Sequence, residues 1–213
     1  MSNYEITKNR VQREFVKYDQ EKMIEKFGLE HDETYIYIDF LWRKYRIHRV
    51  EGIVEWANRG TIWENPNEAN FNEVLTIFDV LCDSKEHCLA SGEFVNMQSL
   101  SSIKGSSGNV GGGLFKTDGE YFDKNTGALA AACEKLGGVQ KGKGDVSYEI
   151  PIFDFLSFMI QFWNSDEEFE ASLQIFVDKN TLQFMRYETM WYAVSHMLSR
   201  IKEEMGYGEF LSR

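Results

Sequence analysis

The stretch DVSYEIPIFDFLSFMIQFWNSDEEFEASLQIFVDKNTLQFMRYE, Asp145 to Glu188, decides the fold class. A long aromatic-rich apolar run ends at Trp163, an acidic knot follows at Asn164-Ser165-Asp166-Glu167-Glu168, and a second apolar run ends at Asp178. That order predicts two β-strands joined by a tight turn crowded with carboxylates. Beyond the turn, alternation places Phe169, Ala171, Leu173, Ile175 and Val177 on one face, while Glu168, Glu170, Ser172, Gln174 and Asp178 share the other with Phe176.

Working outward, Val11, Phe15 and Tyr18 fall on one helical face, and Asp19 is placed to cap a second helix that buries Met23, Ile24 and Phe27 and stops at Gly28. Alternation around Tyr35–Phe40, Tyr45–Arg49 and Ile53–Trp56 predicts a three-stranded antiparallel meander, followed by a surface excursion from Ala57 to Ala69. Asn70 with Glu73 three residues on is a capping box, opening a helix whose stripe is Phe71, Val74, Leu75, Phe78, Leu81 and Cys82. A short strand, Glu93–Met97, follows Gly92, and a helix from Asn125 or Thr126 ends at Gly137-Gly138. The last helix, about 187 to 204, carries Met190, Val194, Met197, Leu198 and Ile201 inward. His196 lies roughly 120° from that stripe, which assigns it to a boundary or the surface.

Antiparallel strands and helices in separate runs predict an α+β fold, antiparallel sheet or sheets with helices packed on one side, as a single domain over 1–213. The glycine-rich loop at about 104–119 is expected to be an internal flexible segment, since neither a Walker A pattern nor a dinucleotide fingerprint occurs there.

The net charge of −11 disfavours a nucleic-acid partner, and the densest basic stretch, Arg43 to Arg49, has the alternation of a strand with one wet face. No membrane association is expected, because no run of apolar residues is long enough to span a bilayer. Three cysteines without a C-x-x-C pair, and an N-terminus without the layout of a signal peptide, point to a cytoplasmic protein. No cofactor is expected: Cys82, His87 and Cys88 match no zinc spacing, His31 and His48 are isolated, and no serine sits in a nucleophile elbow.

Chemistry therefore concentrates at the acidic knot. Trp163 supplies an apolar wall beside Asp166 and Glu167, with Asp178 and Glu188 as further carboxylates. Carboxylates gathered near one strand end could hold a hard cation, and Asp166, Glu167 and Asp178 are the set for it, although the spacing of a dedicated calcium loop is missing. Carboxylates in unequal environments could instead do acid–base work.

The residues Asp145-Val146, Ile150-Pro151, Phe162-Trp163, Asp166-Glu167-Glu168-Phe169-Glu170-Ala171, Phe176-Val177-Asp178 and Glu188 resemble domain-of-unknown-function family 3786, a family of uncharacterised bacterial and archaeal proteins. The tryptophan followed by D-E-E-F, and the downstream Phe-x-Asp, are the specific part. Relatives commonly carry glycine just before the knot, where Ser165 stands here. Some also carry a cysteine-rich iron–sulfur segment that this sequence lacks, so no electron-transfer role carries over. The resemblance implies one coherent fold and an important hairpin, and it implies no reaction.

Two functional readings follow. The first is a module binding a small ligand or a protein partner at the Trp163–Glu168 turn. The alternative is a metal-assisted or acid–base hydrolase using Asp166, Glu167 and Asp178, which requires those carboxyl groups to converge in one pocket.

Overall fold

A computed structural model describes residues 2–60, 63–100 and 115–207. In chain order the first elements are α1 (Asn3–Phe15), α2 (Gln20–Phe27), β1 (Tyr35–Phe40), β2 (Arg43–His48), β3 (Val54–Asn58), β4 (Asn67–Glu68) and α3 (Phe71–Phe78). They are followed by β5 (Phe94–Asn96), α4 (Lys116–Phe122), α5 (Thr126–Lys135), β6 (Val139–Gln140) and β7 (Val146–Phe153). The last are β8 (Leu156–Trp163), β9 (Ser172–Asp178), α6 (Thr181–Phe184) and α7 (Tyr187–Lys202). The strands form two antiparallel sheets, ordered β1-β2-β3-β4 and β5-β9-β8-β7-β6, so the class is α+β. The chain divides into two units, one made of Met1–Leu89, Ile152–Phe155 and Asn180–His196, the other of Ala90–Pro151, Leu156–Lys179 and Met197–Arg213.

In the first unit the predicted meander forms, with β4 added from the segment expected to be a plain excursion. Ile36, Ile38, Phe40, Tyr45, Ile47 and Val54 are buried along it. On the alternate positions Arg46 lies over Tyr35 at 4.4 Å and over Trp63 at 4.6 Å, which accounts for the wet basic face without a ligand. Asp19 caps α2, and Gly28 ends it at φ 61°, a left-handed conformation that glycine adopts without Cβ strain. The capping box of α3 is present, and the helix then widens into a π-helical turn over Asp79–Asp83.

One buried cluster ties this unit together. Glu73 is 1 % exposed. Its Oε2 accepts the Asn70 N–H at 2.5 Å, while its Oε1 accepts the Tyr45 hydroxyl at 2.7 Å and lies 3.6 Å from Arg43 and 3.3 Å from His196. Arg43 also covers the Trp56 ring at 3.5 Å. His196 is therefore no boundary residue: at 3 % exposed it is buried against Tyr45 and Phe40.

The Asp145–Glu188 stretch departs from expectation. The long apolar run is two strands, β7 and β8, turning at Asp154-Phe155, so the region holds three strands rather than two. One face of each strand is fully buried and the other only in part, so alternation persists; the break is hidden because the turn lacks the Asn-Gly signal of a tight hairpin. The acidic knot opens an eight-residue connection, 164–171, rather than a tight turn, so Phe169 and Ala171 precede the strand. Leu173, Ile175 and Val177 are buried as expected, but Asp178, expected on the polar face, is buried too. Residues 104–114 of the glycine-rich loop lie outside the described residues; its tail, from Lys116 through Gly119, is the start of α4.

Removing the Glu73 charge breaks its pair with buried Arg43, and breaking a buried pair costs roughly 3–5 kcal/mol. Glu73→Gln is expected to lower the urea midpoint by that much stability; a loss below about 1 kcal/mol would contradict the role given to this carboxylate.

Candidate functional site

The acidic connection is held by other carboxylates. Asp123, at the end of α4, accepts the Ser165 N–H at 2.9 Å and the Ser165 hydroxyl at 2.6 Å. The Ser165 side chain thus supplies a second anchor bond. Lys124 donates from its backbone to Asn164 Oδ1 at 2.9 Å, and Asp145 accepts the Asn164 N–H at 2.7 Å. Within the connection, Asp166 Oδ1 accepts the N–H groups of Glu168 and Phe169, both at 2.8 Å, and the Asp166 N–H returns to the Phe169 carbonyl at 2.9 Å. Those donors stabilise the charged forms. The Ser165 bonds hold the Asp123 carboxyl below the usual carboxylate range, and the Glu168 and Phe169 amides do the same for Asp166.

This frame opens a groove of about 670 Å³ lined by Asp145, Trp163, Asn164, Asp166, Glu168, Phe169, Glu170, Ala171, Ser172 and Gln174. Trp163 and Ser172 are directly paired across β8 and β9, as are Gln161 and Gln174, so the floor is rigid sheet and the rim is the connection. Glu170 is paired with Lys116 at 2.9 Å. The Glu168 carboxylate and Asp166 Oδ2 form no hydrogen bond or ion pair among the described residues, and Phe169 is 69 % exposed. Among those residues the lining contains four carboxylates, two aromatic rings and no basic side chain.

Of the residues singled out from the sequence, Trp163 and Asp166 meet in the groove, and Glu167 lies beside it in sequence without lining it. Asp178 sits at the opposite end of β9, six residues from Ser172, or about 20 Å along a strand. There it accepts hydrogen bonds from the Ser91 N–H at 3.1 Å, the Ser91 hydroxyl at 3.1 Å and the Gly92 N–H at 2.8 Å, fixing the start of β5. Glu188 is in the first unit, in the first turn of α7. A hydrolase built on Asp166, Glu167 and Asp178 would need them around one substrate, as glycosidase carboxylates about 5–10 Å apart illustrate. The fold does not bring them together. Among the described residues no group of three His, Cys, Asp or Glu side chains is placed to hold a metal ion.

The family model described as Domain of unknown function (DUF3786) matches residues 19–200. The chain belongs to that family. The DUF3786 match includes the acidic connection and β9, whose Trp163, D-E-E-F and Phe-x-Asp carry the resemblance in the sequence. No curated protein and no solved structure matches the chain. Among the described residues of this DUF3786 protein no helix is long and apolar enough to cross a membrane.

Sequence reasoning missed Asp145, Phe169, Glu170, Ala171, Ser172 and Gln174 as groove residues. Strand alternation carried part of the signal, since Ser172 and Gln174 fall on the predicted polar face. It missed Asp123 altogether, because the partner of Ser165 is 42 residues away.

Because the folded carboxyls of Asp123 and Asp166 titrate below their ordinary value of 3.8, their anchoring is complete above that pH and is lost as pH falls through the lowered values. Amide NMR titration should show Ser165, Glu168 and Phe169 shifting together with midpoints below 3.8. Midpoints at or above it would show that these bonds do not hold the connection.

Gly144 provides a second check. It has φ +92°, and a Cβ there would lie 2.8 Å from the Phe162 carbonyl oxygen and 3.4 Å from the Trp163 ring. Gly144→Ala is expected to cost about 1–3 kcal/mol and to shift the Trp163 indole resonance. An unchanged indole would remove Gly144 from the support of the groove.

Proposed function

We propose that this protein is a binding module whose groove at 163–174 takes a ligand with a cationic group on an apolar or aromatic body. The observation that carries this reading is the lining: four carboxylates around Trp163 and exposed Phe169, with no basic side chain among the described residues. Carboxylates attract the cation over distances of about a Debye length, roughly 8 Å at physiological salt. Aromatic faces then hold a desolvated ammonium or guanidinium by cation–π attraction and pack its apolar part. The volume suits a small organic ligand, because drug-sized sites run to about 300–1,000 Å³.

The test is a titration with arylalkylamines, and with carboxylic acids of the same skeleton, followed by calorimetry. Saturable binding of the amines, weakening as salt rises, supports the reading. Glu168→Gln is expected to weaken it several-fold, as a loss of up to about 1 kcal/mol at an exposed ion pair implies. Trp163→Leu should cost about 0.5–2 kcal/mol of affinity. Equal binding of the acids, or no binding by either series, would overturn it.

We also propose that residues 1–213 behave as one domain, supported by a family match that runs through both units. Urea unfolding followed by tryptophan fluorescence and by far-ultraviolet circular dichroism should then give coincident single transitions; two separated transitions would contradict this.

A further inference from the structure

The first unit holds a second, smaller cavity where the π-helical turn Asp79–Asp83 faces α1 and the start of α7. Insertion of an extra residue per turn is uncommon and recurs at functional sites, because it re-aims side chains that a regular helix would stack. Here the turn brings Asp79, Cys82 and Asp83 to the wall of a cavity of about 100 Å³. Phe15 and Phe78 line its apolar side, stacked at 4.6 Å. By volume the cavity is small: about three waters' share of liquid, and less than the roughly 150 Å³ that accepts benzene.

Its polar groups are unequally satisfied. Asp79 is committed: it accepts the Arg186 N–H at 2.7 Å, just before α7, and so supplies the negative charge that this helix N-terminus favours. Arg186 bridges both acids, with Nε 3.4 Å from Asp79 and Nη2 2.5 Å from Asp83. Among the described residues the other oxygen of Asp83 accepts from the Tyr18 hydroxyl alone, at a long 3.5 Å. Burial raises the Asp83 carboxyl above its ordinary value, Arg186 opposes this and Asp79 adds to it, so the carboxylate remains short of positive charge. Independently, Thr189 on α7 is 5 % exposed and lines the cavity, yet its hydroxyl makes no hydrogen bond among the described residues. A hydroxyl that faces the cavity without a protein partner is available to accept from a bound polar group. Cys82 is no nucleophile here: burial, with Asp83 and Asp79 adding, pushes its thiol up to about 12, so it stays neutral.

We infer that this cavity is a binding site for a short-chain primary ammonium. The ammonium donates to Asp83 and Thr189, and a chain of two to four carbons lies against Phe15 and Phe78. A carboxylate or phosphate would meet Asp79, Asp83 and Glu14 with only Arg186 in compensation, and a neutral alcohol would leave Asp83 as it is.

The experiment titrates the full chain with methyl-, ethyl-, propyl-, butyl- and hexylammonium chloride, with 1-propanol and butyrate as controls, read by amide NMR. Saturable shifts at Cys82, Asp83 and Thr189, strongest for propyl- or butylammonium, are expected. Asp83→Asn should weaken that affinity at least fivefold and Thr189→Val two- to threefold, while Glu168→Gln, in the other unit, leaves it unchanged. Equal shifts from 1-propanol or butyrate, affinity that keeps rising through hexylammonium, full affinity in Asp83→Asn, or the absence of saturable shifts at these amides would each overturn the inference. Loss in Glu168→Gln would place the amines in the groove and overturn it as well. The chain-length series in the natural protein decides the matter even if a variant fails to fold.

Discussion

A backbone N–H removed from water must find an acceptor, and in this protein the acceptor is repeatedly a carboxylate. Glu73 is the deepest case. It closes the capping box of α3 with one oxygen and, with the other, draws Tyr45, Arg43 and His196 into a single buried cluster. The same arrangement recurs at the edges of the elements. Asp79 takes the Arg186 N–H before α7, Asp178 takes Ser91 and Gly92 before β5, and Asp123 takes Ser165. A carboxylate serves better than a carbonyl in this role, since a charged acceptor roughly doubles the strength of the bond.

This accounting separates structural acids from available ones. An acidic chain offers many carboxylates that look functional, and three of the nine in the Asp145–Glu188 stretch hold backbone N–H groups. Asp145, Asp178 and one oxygen of Asp166 belong to the scaffold. What remains around Trp163 and Phe169 is Glu168 and the second oxygen of Asp166, on a rim fixed by Asp123 and Lys124. A rigid rim with unengaged charge beside exposed aromatic surface is the arrangement that recognises a ligand at low ordering cost.

Local chemistry was legible in the sequence wherever both partners lie within a few residues. Asn70 and Glu73 announce the α3 cap, Asp19 and Gly28 bound α2, and alternation marks β1 to β3. Features that depend on distant partners were not. The helical position of His196 describes only its own helix, and its burial is decided by Tyr45, 151 residues away. Asp178 alternates as a polar-face residue, and only Ser91 and Gly92 show why it is inside. The hairpin at Asp154-Phe155 was hidden because its turn carries no Asn-Gly signal, and Met159 and Trp163 on the less buried face keep the run apolar. The site was legible as Trp163 and the acidic knot, while its floor of Ser172 and Gln174 depended on where β9 begins.

The central claim is that the groove selects a cation on an aromatic body. The most direct measurement is chemical-shift mapping of the full chain with phenethylammonium and, in parallel, with phenylpropanoate. The account predicts saturable shifts for the ammonium alone, centred on the Trp163 indole and the backbone amides of Glu168, Phe169, Ser172 and Gln174. Shifts from the carboxylate at those same positions, or ammonium shifts that bypass Trp163, would contradict it.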